Sequence, residues 1–403
     1  MTTHQAVKFL DRTTPPHLVT LVLLAGVSAM SMSIFLPSLP AMTAEFGTSY
    51  GVMQLSVSLY LAFTAFAQIL VGPISDKYGR RPIVLGALAV FTLASLGCAF
   101  AQNAEVFLFF RMLQAVVAVT MALSRAIVRD MVPQAESAAM IGYVTMGMSL
   151  VPMVAPSIGG LLDAGFGWRT TFIVMAVFGF ALMTLSFHDQ GETNQTQGQS
   201  FAAQLADYPE LFTSRRFWGY VLCAAFSSGA FFAFLGGAPY VATTVYGQPA
   251  AAVGMFLGVP AIGYFFGNFL SGRLSVRLGI NRMIWAGSLV LLAGMVCSVA
   301  LTSFGYGSVT SFFIFCAFVG LGNGMVLPNA TAGLLSVRPH LAGTASGVGS
   351  AIMIGGGAAL AAVAGAALEG SPTSLPLQWI MTLSAFACVI AIYYVTRREA
   401  QIA

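Results

Sequence analysis

Two places in this sequence gather charged or polar side chains that could bind or gate an ionic solute. Charged residues make up only 7% of the 403 positions, yet the stretch Asp76–Arg81 holds four of them in six positions. The second place is Arg111, which follows an apolar run and is joined three residues later by Gln114. A carboxylate among guanidinium groups suits a reversible ionic contact. A guanidinium in apolar surroundings favours an anionic, zwitterionic or neutral solute over a cation.

The composition predicts the surroundings of these residues. Hydrophobic residues make up 58% of the chain, whereas soluble domains carry about 25% charged residues. A chain so poor in charge cannot cover a globule with a water-compatible surface, so we expect an integral membrane protein in contact with the bilayer. The net charge of +4 is spread over short loops, and we therefore expect no nucleic-acid partner.

The residue types that serve enzymes and metal sites lie outside the apolar runs or lack a suitable spacing. The four histidines fall in polar segments, and the five cysteines fall in apolar runs without the spacing of metal ligands. No nucleophile–base pair and no nucleotide-binding glycine loop is visible. We therefore expect no enzyme activity, no metal and no cofactor.

The lengths of the apolar runs predict an all-α membrane protein with twelve transmembrane helices, since about 20 apolar residues cross a bilayer as a helix. The predicted spans are 17–37, 51–73, 82–101, 105–126, 137–162, 168–187, 217–240, 250–273, 282–303, 308–330, 342–368 and 375–395. A long polar segment separates the sixth from the seventh. We expect one six-helix bundle at 1–187, a cytoplasmic linker at 188–216 and a second bundle at 217–403.

The distribution of basic residues predicts the orientation of the spans, because cytoplasmic loops are enriched in lysine and arginine. The only lysine or arginine in the expected outer loops is Arg169. The expected inner segments hold Lys8, Arg12, Lys77, Arg80, Arg81, Arg129, Arg215, Arg216, Arg273, Arg277, Arg282, Arg338, Arg397 and Arg398. Both termini are therefore expected in the cytoplasm, which requires an even number of spans.

The two halves of the chain repeat each other. The stretch Gly72–Gly79 aligns with Gly272–Gly279 at a shift of 200 residues, and Phe35–Pro40 aligns with Phe234–Pro239 at a shift of 199. Repeated bundles of helices are typical of transporters whose halves move about a central site. A membrane enzyme, receptor or scaffold has no need of this repeat.

Several of these stretches resemble a known family. Residues 72–82 resemble the loop motif between helices 2 and 3 of the major facilitator superfamily. Three stretches resemble its bicyclomycin-resistance (Bcr/CflA) branch of drug–proton antiporters: 35–42 at the end of helix 1, 111–130 in helix 4 and 151–160 in helix 5. The resemblance implies a monomeric, proton-coupled efflux transporter of small organic compounds in a bacterial inner membrane, working by alternating access.

The resemblance also assigns a gate. Asp76, Arg80 and Arg81 would hold the two halves together on the cytoplasmic side when the transporter opens outward. Gly72 and Gly79 allow the tight turn and the close helix contact that this position needs. A second interpretation, that the charges only set the topology, remains open.

A second conformational motif is expected in helix 5. Pro152 and Pro156 remove backbone donors, and Gly159 and Gly160 remove side-chain bulk, which favours a bent, closely packed helix at the interface between the halves. Ordinary glycine-mediated packing explains the same residues equally well.

The polar and aromatic residues of the central helices predict a solute cavity around Arg111. An arginine within a span is costly unless it faces water or a partner, and the alternative is that it extends to the membrane surface. The expected cavity residues are Arg111, Gln114, Ser33, Met30, Tyr60, Phe232 and Asn323.

One departure from the branch bears on energy coupling. Its members usually carry an acid near the end of helix 1, where this chain has Ser33, and all 13 acids of the chain lie in loops or near span ends. Proton coupling would then use Asp76, Asp130, Glu136 or Asp163, or a proton carried by the solute. The missing acid also leaves a second function open, a facilitator or proton-linked transporter of an anionic or zwitterionic metabolite.

Overall fold

The structure is a computed structural model, and it describes residues 7–132, 140, 144, 151–194, 208–338 and 342–401. Over these residues the regular structure is entirely helical. The helices of the first half are α1 (Leu18–Ser33), α2 (Leu39–Glu45), α3 (Tyr50–Tyr78), α4 (Arg80–Ala99), α5 (Ala104–Gln114), α6 (Ala118–Met131), α7 (Val151–Phe166) and α8 (Arg169–Asp189).

The second half follows a short helix in the linker. The elements are α9 (Tyr208–Phe212), α10 (Arg215–Tyr240), α11 (Ala250–Leu257), α12 (Val259–Leu278), α13 (Ile280–Ser303), α14 (Val309–Ser336), α15 (Ala342–Leu368) and α16 (Leu375–Ala400).

Eleven helical stretches in the described part of the chain are long and apolar enough to cross a membrane. Two of them combine helices joined by a 3₁₀ turn: α1 with α2, and α5 with α6. The predicted span 137–162 lies partly outside the described residues, and its described part belongs to the shorter helix α7. The all-helical membrane fold is thus confirmed, while the number twelve stays a prediction.

Side chains of the connecting segments cap several of these helices. The Ser49 hydroxyl accepts the backbone N–H of Val52 at 3.3 Å, and the Asn103 side chain accepts that of Val106 at 2.9 Å. Ser308 begins α14 with a capping box. These short polar side chains satisfy backbone donors that the first helical turn leaves free, which explains why the apolar runs become helices at these points.

The turn between the second and third spans of each half confirms the internal repeat. Gly79 and Gly279 have φ values of 95° and 85° and ψ values of 154° and 156°. Each donates its backbone N–H to a serine carbonyl four residues earlier, Ser75 or Ser275, at 2.9 Å. Only glycine adopts this backbone conformation without strain. The two halves therefore share the same backbone turn as well as similar residues at this position.

The helix ends define two faces of the molecule. Successive spans end alternately on the two sides, so the charged face holds Arg80, Asp189, Arg216 and Glu399, and the opposite face holds Glu45, Trp168, Arg169, Tyr240 and Tyr246. On the opposite face, Glu45 accepts the Trp168 indole N–H at 2.5 Å and pairs with Arg169.

On the charged face, a carboxylate from the last helix of each half holds the start of the first helix of that half. Asp189 accepts the backbone N–H of His17 at 2.9 Å and the Thr20 hydroxyl at 2.7 Å. Glu399 accepts the Tyr220 hydroxyl at 2.9 Å and pairs with Arg216 at 2.6 Å. Thr20 and Tyr220 are 200 residues apart, which is the period of the repeat.

The two halves meet most extensively along two helix pairs, α3 with α15 and α7 with α11. Small residues lie at both contacts: an added Cβ at Gly254 of α11 would overlap the Pro156 carbonyl of α7, and one at Gly355 of α15 would lie 4.0 Å from Ala65 of α3. Helices in a bilayer approach closely at small residues because packing, rather than water exclusion, drives their association.

Candidate functional site

Arg111 lies in the last turn of α5 and is almost fully enclosed, with 1% of its surface exposed. Its guanidinium donates to the Ser31 carbonyl oxygen at 2.7 Å, to the Ser31 hydroxyl at 3.2 Å and to the Ser56 carbonyl oxygen at 3.3 Å. A fourth bond of 2.5 Å reaches the Gln114 side chain. Since an unpaired charge is very costly in the membrane, these acceptors explain how an arginine is tolerated at this depth.

Two aromatic rings complete the surroundings of this cation. The guanidinium carbon lies 4.2 Å from the ring centroid of Phe35 and 4.1 Å from that of Tyr60. A planar guanidinium over an aromatic face gains cation–π attraction that is strongest where water is excluded. The arginine is therefore held by α1, α3 and α5 together and lies inside the first half rather than at the membrane surface.

Gln114 extends the polar cluster toward the helices behind it. Its amide nitrogen donates to the Ser95 hydroxyl of α4 at 2.7 Å. The chain Ser31–Arg111–Gln114–Ser95 is then continuous, and all four residues are buried. Because each member is fixed by the next, the network sets the relative position of α1, α4 and α5 around the charge.

The other expected cavity residues lie outside the hydrogen-bond network of Arg111. In the first half, the Ser33 hydroxyl donates to the Ala29 carbonyl of its own helix at 3.0 Å, and Met30 is half-buried. In the second half, Asn323 pairs with the Ser227 hydroxyl at 2.5 Å, and the Phe232 ring fills the space beside Gly357. Arg111, Gln114 and Tyr60 come together, whereas the hydrogen bonds described for the other polar residues stay within their own half.

The expected gate residues form an ionic cluster on the charged face. Arg80 pairs with Asp76 at 2.5 Å and with Asp130 of α6 at 3.1 Å, and it donates to the Ser75 hydroxyl. These partners are residues of the first half. The gate assignment named Asp76 and Arg80 but not Asp130 as the second acceptor. The neighbouring pair Arg129-Asp130 at a helix end was the available signal for it.

Arg81 and the adjacent glycines show how the turn is held. Arg81 donates to the Phe187 carbonyl at 2.9 Å, and its backbone N–H donates to Glu192 at 3.1 Å. Gly72 faces open space, while a side chain at Gly79 would meet the Glu192 carboxylate. Glu192 belongs to the linker and was not predicted to take part in this cluster.

The glycines of the helix 5 motif contact two different partners. An added Cβ at Gly159 would overlap the Ile34 carbonyl of the first half, and one at Gly160 would lie 2.5 Å from the Ala250 carbonyl of the second half. Pro156 lies inside α7, whose neighbour across the interface is α11. Pro152 is in the same helix, and its side chain lies outside the described residues.

Two residues that the sequence did not single out connect the halves directly. The Tyr50 hydroxyl donates to the Gly236 carbonyl at 2.7 Å, and the Gln54 amide nitrogen donates to the Ala361 carbonyl at 2.8 Å. A main-chain carbonyl carries no side-chain signature, so the sequence held no signal for these partners.

Over the described residues, no group of three His, Cys, Asp or Glu side chains could hold a metal ion.

Repeated halves of membrane-spanning helices, a buried arginine network and helix contacts between the halves define a membrane transporter. The family model of the Major Facilitator Superfamily matches residues 21–362. The chain belongs to this superfamily, which confirms the resemblance noted in its motifs.

Three relatives carry names of drug-resistance proteins. A chloramphenicol resistance protein of Pseudomonas aeruginosa is 31% identical, with 80% of this chain and 77% of the relative covered. A bicyclomycin resistance protein homolog of Haemophilus influenzae is 27% identical, with 95% and 96% covered. Multidrug resistance protein D of Escherichia coli is 28% identical, with 93% and 94% covered. These names agree with the drug-efflux branch that the motifs resemble.

A solved transporter shares the fold. The xylose transporter XylE of E. coli, in a partially occluded inward-open conformation, superposes with a TM-score of 0.74 at 12% identity, over 93% of this chain and 96% of that one. At this level of identity the similarity concerns the fold alone.

Proposed function

We propose that this protein is a bacterial inner-membrane transporter that exports small organic compounds, including drugs, by alternating access. The observation that carries the proposal is the similarity, over most of the chain, to three relatives named for resistance to chloramphenicol, bicyclomycin and multiple drugs. The alternative of a facilitator for an anionic metabolite is not favoured by these relatives.

The charged face is the cytoplasmic one in this proposal. The basic residues at the helix ends of this face support it, since lysine and arginine are retained on the cytoplasmic side. Both termini then lie in the cytoplasm, and residues 1–187 and 217–403 form two bundles that move as units about the linker 188–216. The protein acts as a monomer.

The solute binds between the halves, near the level of Arg111 and Tyr60 on one side and Phe232 and Asn323 on the other. In the structure Arg111 is satisfied by neutral acceptors, and its hydrogen bonds include no carboxylate. Its positive charge is therefore not cancelled locally, and it favours neutral, zwitterionic or anionic solutes over lipophilic cations.

Proton coupling would use acids near the ends of the spans. Asp76 and Asp130 share Arg80 on the charged face, so protonation of either would loosen that cluster and link the gate to the proton gradient. Asp163 lies in α7, and Glu136 lies outside the described residues.

Transport into proteoliposomes, with and without an imposed pH gradient, tests these proposals. The panel holds chloramphenicol as a neutral solute, ethidium as a lipophilic cation and an anionic dye of similar size. We expect uptake of the neutral solute that rises with the gradient and little uptake of ethidium. Flux that ignores the gradient would refute proton coupling, and ethidium transport that survives Arg111→Ala unchanged would refute the charge selectivity.

A further inference from the structure

Two residues in the first turns of α3 cross from the first half to the second on the opposite face. The Tyr50 hydroxyl donates to the carbonyl of Gly236 in α10 at 2.7 Å, and the Gln54 amide donates to the carbonyl of Ala361 in α15 at 2.8 Å. Both side chains are buried. The Tyr50 ring also lies 4.9 Å from that of Tyr240 at the end of α10.

The Gln54 side chain lies in a socket formed by glycines of two helices. A Cβ added at Gly236 would overlap the Gln54 amide nitrogen, and one added at Gly365 would lie 2.5 Å from its Cγ. Any side chain at either position therefore competes with Gln54 for the same space. The fit places a polar side chain of one half inside a space that the other half leaves by omitting side chains.

The hydrogen bonding of this contact suits a reversible closure rather than a permanent join. The Gln54 amide nitrogen is paired, but its side-chain oxygen is buried and has no hydrogen-bond partner among the described residues. A buried acceptor without a partner offsets part of what the donor gains. When the halves separate on this face, water satisfies both ends of the amide, so the hydrogen bond itself contributes only a small net free energy to the closed state.

The hydrogen bonds and ion pairs of the described residues differ in kind between the two faces. On the opposite face, direct hydrogen bonds join the halves through Tyr50 and Gln54, and the Ser157 hydroxyl of α7 donates to the Gly254 carbonyl of α11 at 3.2 Å. On the charged face, the ion pairs of Arg80 end on residues of the first half, Asp76 and Asp130. The structure is therefore held closed on the opposite face.

We propose that Tyr50 and Gln54 form a latch that closes the opposite face, and that Gln54 must leave its glycine socket before a solute can exit there. The inference rests on the proposed alternating access. It makes Gln54 a positioning residue that sets the balance between two conformations and need not touch the solute.

The test measures the separation of the halves directly. Spin labels are placed on the opposite face at Ala44→Cys in the first half and Thr373→Cys in the second, both exposed, with the exposed Cys297 replaced by serine. Electron–electron resonance in nanodiscs then gives the distribution of distances without any solute. Gly236→Ala should shift the population toward longer distances, because its methyl group displaces Gln54. The matched control is Gly347→Ala in α15, where an added Cβ meets no atom within 4 Å.

A second substitution separates the latch from general damage to packing. In Gly236→Ala combined with Gln54→Ala, the methyl group has no Gln54 side chain to displace, so the distances should return to those of Gln54→Ala alone, which lacks only the hydrogen bond. Gln54→Ala alone keeps the socket and loses one hydrogen bond, and it should raise the open population by about threefold to tenfold. This variant carries no steric risk to folding.

The latch is overturned if Gln54→Ala leaves the distance distribution equal to that of the Gly347→Ala control, or if the double variant stays more open than Gln54→Ala alone. Because the distances are measured without transport, they decide the latch even if no drug proves to be a substrate. Failure of transport in the parent protein with a normal response of the distances would refute the export function alone.

Discussion

The Glu192 carboxylate accepts the backbone N–H of Arg80 at 2.8 Å. Arg80 is the first residue of α4, and the preceding residue, Gly79, has no side chain with which to cap the helix. A residue 112 positions further along the chain thus supplies the cap. The same carboxylate accepts the backbone N–H groups of Arg81, Thr193 and Asn194. The linker is thereby attached to the turn that carries the proposed gate.

Glu192→Gln should lower the stability of the folded protein, because a carboxylate at a helix N-terminus gains both hydrogen bonds and the favourable field of the helix dipole. We expect a loss of about 1 kcal/mol, seen as a melting temperature about 1 °C lower in detergent. The control is Glu105→Gln in the first turn of α5, whose cap, the Asn103 side chain, stays in place. Equal melting temperatures for the two variants would contradict the capping role.

The sequence predicted the local parts of this arrangement and missed the distant ones. Gly79 was expected at a tight turn because only glycine suits that conformation, and Gln114 was expected beside Arg111 because residues three apart share a helix face. The acceptors of Arg111 in α1 and α3 are partly backbone carbonyls. Every residue has such a carbonyl, so no pattern of side chains points to them.

The same reasoning explains why the sequence did not predict the contacts between the halves. Gln54 and Ala361 are 307 residues apart, and neither type is unusual in a membrane helix. The glycines around Gln54 belong to a chain with 43 glycines, so their number concealed the few that form the socket. The motif resemblance covered the first half best, and these partners lie in the second.

Arg111→Lys should reduce drug export by at least about tenfold at equal protein level, because the ammonium group lacks the planar fork that reaches Ser31 and Gln114 and lies between two rings. The measurement is initial efflux rate in cells, with the amount of protein in the membrane checked by immunoblot. Arg169→Lys on the opposite face is the control, since that side chain is 37% exposed and pairs with Glu45 in a more solvated place. Export by Arg111→Lys at the control rate would show that the charge alone is sufficient.

Asp76→Asn should disturb the gate more than it disturbs folding. The substitution removes the ion pair with Arg80 at 2.5 Å while Asp130 still holds the same guanidinium at 3.1 Å. That pair lies within the first half in this structure, and the effect on gating is expected because Asp76 contacts the second half in the proposed outward-open state. Loss of a charge-assisted contact there is worth about 1.5–3 kcal/mol, so the balance between conformations should shift by about tenfold or more.

The check for the gate is a pair of measurements on the same preparation: the export rate, which should fall, and the melting temperature, which should fall little. Glu210→Gln serves as the control because its ion pair with Arg338 is about half exposed on both sides and contributes little. A variant that melts much earlier but exports normally once folded would assign Asp76 to stability instead of gating.

The two glycines of the helix 5 motif should respond differently to the same small change. Gly159→Ala places a methyl group against the Ile34 carbonyl within the first half, whereas Gly160→Ala places one against the Ala250 carbonyl of the second half. Backbone atoms cannot rotate away as side chains do, so the first variant should fail to accumulate as folded protein. The second should fold, since the halves can separate slightly, and should lose export.

Gly165→Ala in the same helix meets no atom within 4 Å and is the control for both. Membrane yield, monodispersity in detergent and export rate distinguish these outcomes, and a Gly159→Ala protein that folds and exports like the control would show that α7 is not held closely against Ile34.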